Sequence, residues 1–136
     1  MRILILSWEY PPKNVGGLSN HVYHLSHSLC EMGHEVHVVT CQDGIAPIKE
    51  NDNGVFIYRV EPYKIQTQDF IKWVMQLNFA MIEESIRIIK LQGRMDIIHA
   101  HDWLSTFAAK ALKWAYNIPL IATIHATEYG RNAGIK

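Results

Sequence analysis

The sequence predicts an α/β fold in which a parallel sheet is covered by helices on both faces. Three observations carry this prediction. Short apolar runs alternate with longer segments whose apolar residues recur every three or four positions, the order expected of strands joined by crossover helices. The strand candidates are apolar on both faces, as strands lying between two helical layers must be. Loops rich in Gly, Pro and His follow several of these strands, and in such sheets ligands bind outside the carboxyl ends of the strands.

RILIL (2–6) reads as the first buried strand, short and branched. Residues 7–17 form a loop broken by Pro11 and Pro12 and closed by Gly16 and Gly17. Leu18, Val22, Leu25, Leu29 and Met32 then form an apolar stripe along one helix, and Gly33 stands where a helix ends. EVHVVT (35–40) is the second strand, its valines suited to a sheet. Residues 41–54 are turn-rich and without period, and read as a loop. GVFIYRV (54–60) is the third strand, stopped by Pro62. A long helix over 68–92 carries Phe70, Val74, Leu77, Met81 and Ile88 in a helical pattern, with Lys72, Glu83, Arg87 and Lys90 between them. Gly93 ends it. MDIIHA (95–100) is a fourth strand, LSTFAAKALKWAY (104–116) a helix, and PLIATIH (119–125) a fifth strand. No internal repeat or linker interrupts this order. The 136 residues read as one domain that stops before a closing helix, and so as a truncated domain.

Composition narrows the function classes. Hydrophobic residues make up 49% and charged residues 19%, and thirteen basic residues balance thirteen acidic ones, so no basic patch marks a nucleic-acid binder. Cys30 and Cys41 stand alone without CxxC spacing and suggest neither a zinc site nor a disulfide framework, but reduced thiols in a cytoplasmic protein. The apolar run Ile3–Leu6 is too short for a signal peptide, and nothing approaches the roughly 18 apolar residues of a membrane span.

Two groups of residues carry chemistry. Gly16 and Gly17 lie between the first strand and the first helix. Bare backbone there admits close approach of a ligand, and the helix start offers free N–H groups and a positive dipole end that suit a phosphate, with Lys13 nearby. A tight turn into a helix accounts for the glycines equally well. The pattern is neither GxGxxG nor a Walker loop. The second group is HAHDW (99–103) with TIHATEYGR (123–131), at the ends of neighbouring strands. His99 and His101 point to the same side of their strand, and His125, Glu128 and Arg131 follow the next one. A metal site is the weaker reading, because Asp102 directly follows His101 and no His follows Asp102. A structural reading has His99 packing under the sheet and Asp102 capping the following helix. His101 is the functional candidate. His24, His27, His34 and His37 read as structural or surface residues, and His21 stands out only for lying one turn from the glycine pair.

Taken together, SWEYPPKNVGGLSNHVYHLSHSLCEMGHEVHVVT, IIHAHDW and TIHATEYGR resemble, in order and spacing, the amino-terminal part of glycogen- and starch-synthase-like glycosyltransferases (families 4 and 5). These are retaining, metal-independent enzymes with two Rossmann-like domains facing a cleft, the GT-B fold. The resemblance covers nearly the whole chain. It implies that residues 1–136 are the acceptor-side domain, without the carboxyl-terminal domain that holds the nucleotide, and that the chain alone is inactive. It implies a nucleotide-sugar donor, ADP- or UDP-glucose, a glycan acceptor such as an α-glucan, and no cofactor. It also implies roles by position. Gly16 and Gly17 approach the donor's diphosphate and sugar, and His101 lies beside the transferred sugar. Asp102 supports the loop, and His125, Glu128, Tyr129 and Arg131 line the acceptor side. Where many synthases carry a Lys before the glycine pair this chain has Asn14, with Lys13 beside it.

Two other readings stay open on the sequence. A nucleotide-sugar epimerase of the same architecture would need carboxylates in the cleft for proton abstraction. A non-catalytic module would bind a phosphorylated sugar or a partner. Glu9 and Glu128 give no reason to infer the carboxylate pair of a glycosidase.

Overall fold

The computed structural model describes residues 1–14, 16–62 and 68–124. Six strands form one sheet: β1 (Arg2–Leu6), β2 (Glu35–Cys41), β3 (Lys49–Asp52), β4 (Val55–Val60), β5 (Ile97–His101) and β6 (Leu120–Thr123). Three helices connect them: α1 (Leu18–Glu31), α2 (Phe70–Gln92) and α3 (Thr106–Tyr116), the last preceded by a 3₁₀ turn at Trp103–Ser105. The spatial order is β3-β4-β2-β1-β5-β6, and every pairing is parallel except β3 with β4.

Helices cover both faces, as the both-sided apolar strands predict. On one face Leu18 and Val22 of α1 pack on Ile3, Ile5, Val36, Val38, Val55 and Ile57. On the other, Leu77, Met81 and Ile88 of α2 and Ala108, Ala109 and Leu112 of α3 pack on Leu4, Leu6, Val39, Ile98 and Ala100. Each fully buried Leu, Ile or Val contributes about 1.5–3 kcal/mol through the area it removes from water. β1 lies at the centre, paired with β2 on one side and β5 on the other, and its Leu4, Ile5 and Leu6 are all fully buried.

The structure differs from the sequence reading at four places. The turn-rich stretch over 41–54 contains β3, which pairs Lys49 with Tyr58 and Asp52 with Val55 in antiparallel register, so the sheet is mixed. Its residues, KEND, are polar and carry no apolar period to read. The stripe on α1 ends early. Glu31 closes the helix, Met32 is 70% exposed at the C-cap, and Ser19 and Ser26 are buried beside Leu18 and Val22. The end itself follows the glycine signal: Gly33, at φ 95°, lets its own N–H reach Cys30 O and that of His34 reach Leu29 O. The fourth predicted strand is shifted by two residues to Ile97–His101, which makes His101 part of the strand. β6 is shorter than predicted, and His125 lies outside the described residues.

Candidate active site

The carboxyl ends of β1, β2, β5 and β6 lie along one margin of the sheet, and His101 stands there as the last residue of β5, in register with Thr123 of β6. Alternation along β5 sends Ile98 and Ala100 into the α2–α3 layer and turns His99 and His101 toward the α1 side. His101 is fully buried. Its ring centroid is 4.0 Å from that of His99 and 5.6 Å from that of His21, in the first turn of α1. His99 Nε2 lies 2.7 Å from Thr123 Oγ1. A row of three imidazoles therefore runs from the start of α1 across β5 to β6, with His101 held in the middle.

The loop after His101 is fixed from several directions. Asp102 adopts φ 66° and ψ 170°, and its Oδ1 accepts from Trp103 N at 2.9 Å, opening the 3₁₀ turn as a capping residue does. Its own N–H donates to Thr123 O at 2.7 Å. Ser105 Oγ lies 3.2 Å from both Leu6 O and His101 O and so ties the end of β1 to the end of β5. Buried Asn78 of α2 donates to Leu104 O and accepts from Ala108 N, each at 2.7 Å, clamping the start of α3. Ser105 and Asn78 are positioning residues that the sequence did not disclose. A lone polar residue within an apolar helix pattern is the only signal Asn78 offers.

The glycine pair stands across from this loop. A Cβ at Gly16 or Gly17 would meet nothing within 4 Å, and Gly17 has φ +85°, a conformation costly for any other residue. Gly17 N donates to Asn14 Oδ1 at 3.2 Å. α1 starts without a side-chain cap and without an acidic residue in its first turn, which leaves its leading N–H groups and dipole end suited to an anion. Ser19 Oγ and Thr40 Oγ1 are buried with no hydrogen-bond partner among the described residues. Lys13 extends over Trp8, its Nζ 5.1 Å from the ring centroid. Burial pushes the Cys41 thiol, at the end of β2, above its ordinary range.

The structure thus brings His101, Asp102, His21 and the first turn of α1 together. His125, Glu128, Tyr129 and Arg131 lie outside the described residues. Among the described residues, no group of three or more His, Cys, Asp and Glu side chains is arranged to hold a metal ion. No helix there is long and apolar enough to cross a membrane.

A mostly parallel sheet with its chemistry at the carboxyl margin and an uncapped helix behind a glycine pair is the amino-terminal half of a GT-B glycosyltransferase architecture. The chain belongs to Glycosyltransferase Family 4, whose profile matches residues 15–135. It is 41% identical over 147 residues to a glycogen synthase of Mycobacterium tuberculosis, covering 98% of this chain and 36% of that protein. It is 40% identical over 135 residues to an uncharacterised glycosyltransferase of Methanocaldococcus jannaschii, covering 99% of this chain and 33% of the relative. Among solved structures it resembles sucrose-phosphate synthase from Thermosynechococcus elongatus, with a TM-score of 0.75 and 19% identity over 97% of this chain and 35% of the other, a likeness of fold. The chain spans about a third of the length of the curated relatives it matches.

Proposed function

We propose that the full-length protein is a retaining glycosyltransferase that moves glucose from ADP- or UDP-glucose to a glycan acceptor such as an α-glucan. The observation that carries this reading is the buried His101 ring, held against the first turn of an uncapped helix that follows Gly16 and Gly17. Kinship with a glycogen synthase at 41% identity supports glucose and a glucan over other sugars.

In this mechanism the barrier lies in two places, the oxocarbenium character of the sugar and the negative charge growing on the departing diphosphate. Gly16 and Gly17 let that diphosphate approach the backbone. The leading N–H groups of α1 and its positive end then stabilise the charge as it develops, without reorganising. His101 lies beside the transferred sugar and helps set its anomeric carbon against the acceptor. Its neighbours His99 and His21 leave the ring little freedom, which favours positioning over nucleophilic attack. Asp102 holds the loop that follows, and His125, Glu128, Tyr129 and Arg131 take the acceptor side. The nucleotide itself falls to a second domain. Residues 1–136 alone bind donor weakly and do not turn over.

Nucleoside diphosphate release from ADP-glucose, UDP-glucose and GDP-mannose, with and without an α-glucan primer, tests the proposal on the full-length protein. Primer-dependent release from one glucose donor is expected, reduced about 10²–10³-fold in His101→Ala, the range for losing one aligned polar group. Release from GDP-mannose alone would replace glucose. Recovery of an epimer without transfer would replace the transferase with an epimerase. A folded protein that releases nothing would favour a binding module.

A further inference from the structure

The loop between β1 and α1 carries Pro11 and Pro12, which have no N–H to give to a turn or a neighbouring strand, so side chains from elsewhere must help to hold it. Arg59 of β4 supplies one hold. It stands in register with Thr40 of β2 and is 5% exposed. Its Nη2 donates to Pro11 O at 2.7 Å, and its Nη1 lies 2.8 Å from both Pro47 O and Glu50 Oε1. Tyr10 supplies a second hold. Its buried ring is centred 6.0 Å from the Arg59 guanidinium carbon and 6.0 Å from the Tyr23 ring of α1. The Tyr10 hydroxyl donates to Asp52 Oδ2 at 2.8 Å. Burial, with Asp52 beside it, keeps this phenol above its ordinary range, so it remains a donor. Asp52 also reaches α1, where His27 Nε2 lies 3.0 Å from its carbonyl oxygen and 3.5 Å from Oδ2. The β3–β4 hairpin therefore grips both the loop and the helix.

We propose that Arg59 is a positioning residue for the donor's diphosphate, acting through the loop that ends in Gly16 and Gly17, with the Tyr10–Asp52 bond as its second point of hold. This inference rests on the glycosyl-transfer reading above and deepens it. The path from the hold to the glycine pair is short. Tyr10 O accepts from Lys13 N at 2.9 Å, and Asn14 Oδ1 accepts from Gly17 N at 3.2 Å, so one hydrogen bond joins 10 to 13 and another joins 14 to 17. Taking a guanidinium out of water is costly, and a buried ion pair is a poor source of stability compared with apolar side chains of similar volume. What a guanidinium offers instead is geometry. Its planar fork meets two carbonyls and a carboxylate at once and fixes their relative places, which neither a point charge nor an apolar side chain does. Here the fork joins Pro11, in the loop, to Pro47 and Glu50, on the hairpin side. N–H groups aimed at a developing charge act without reorganising only while the backbone that carries them keeps its place. A polar hairpin at the edge of the sheet thereby takes part in holding the donor.

The test uses the full-length protein and compares wild type with Arg59→Met, Arg59→Lys and Tyr10→Phe. Met fills much of the space of Arg and removes its donors, Lys keeps the charge but loses the fork, and Phe keeps the Tyr10 ring without its hydroxyl. Hydrogen exchange read by mass spectrometry should be faster over residues 7–17 in Arg59→Met, with peptides of β1, β2 and β5 unchanged. Steady-state rates with ADP-glucose and UDP-glucose on an α-glucan primer should show a raised donor KM. The donor kcat/KM should fall about ten- to a hundredfold, the range for a displacement of about 1 Å at a site. The acceptor KM should stay within about twofold, because the loop faces the donor. Arg59→Lys should recover part of the loss, and Tyr10→Phe should show a smaller loss of the same kind. A role in stability alone would lower the thermal midpoint and the fraction of active protein while leaving the donor KM where it was, and that result overturns the proposal. If Arg59→Met does not fold, Tyr10→Phe decides. Unchanged exchange over 7–17 together with an unchanged donor KM in Tyr10→Phe overturns the proposal as well. If wild type releases nucleoside diphosphate from neither donor, the transferase reading fails first and the donor role of Arg59 falls with it.

Discussion

At the scale of single residues, two side chains do work that a change of one group would reveal. Asp102 sits at φ 66° while its carboxylate caps the 3₁₀ turn. With ψ at 170° this backbone lies outside the left-handed helical well, in a region that almost only glycine populates, so the residue is held there under strain. Asp102→Ala would keep the strain and lose the cap, and should cost about 1–2 kcal/mol in urea unfolding. Asp102→Asn should cost less than half of that. Equal losses would mean that the charge matters and the geometry does not. His37, buried in β2, has Nε2 2.7 Å from Glu35 Oε2 and Nδ1 2.8 Å from the Tyr58 hydroxyl. Burial outweighs the pull of Glu35 and holds its pKa below the ordinary histidine value. The unfolded chain titrates this group near about pH 6.5 and binds the extra proton first as pH falls. The stability His37 contributes is therefore complete above about pH 6.5 and is lost as pH falls through the lower folded-state value. Thermal midpoints measured between about pH 7.5 and 5.5 should drop, and drop less steeply in His37→Gln. The place of His101 at a strand's carboxyl end was legible in the sequence, because the apolar run MDII gives way there to His, Asp and Trp. The Ser105 tie between β1 and β5 was not, because no spacing rule links residue 105 to residue 6.

Among the elements, the alternation of strands and helices was readable wherever burial imposes a period, and it failed where burial is absent. β3 is the case in point. Its four residues are polar, yet the turn that follows carries the strongest short hairpin signal, Asn53-Gly54, with φ 49° and 99° as a two-residue hairpin turn requires. Gly54 is constrained twice, since an added Cβ would also come 2.8 Å from Cys30 Sγ of α1. Gly54→Ala should therefore destabilise by about 1–3 kcal/mol. Combining it with Cys30→Ala should return only part of that loss, the part due to contact with the sulfur. Complete recovery in the double variant would show that the backbone angle carries no cost.

Over the whole molecule, the two margins of the sheet are unlike. β3 presents Lys49, Glu50 and Asp52 along one side, charged groups that discourage a further strand. β6 is the other margin among the described residues, and Ile121 and Ile124 are 48% and 51% exposed there. In the language of polymerisation β3 is a capped end, a terminus whose charges stop growth. A synthetic peptide patterned on β4 to pair with β3 should therefore find no seat.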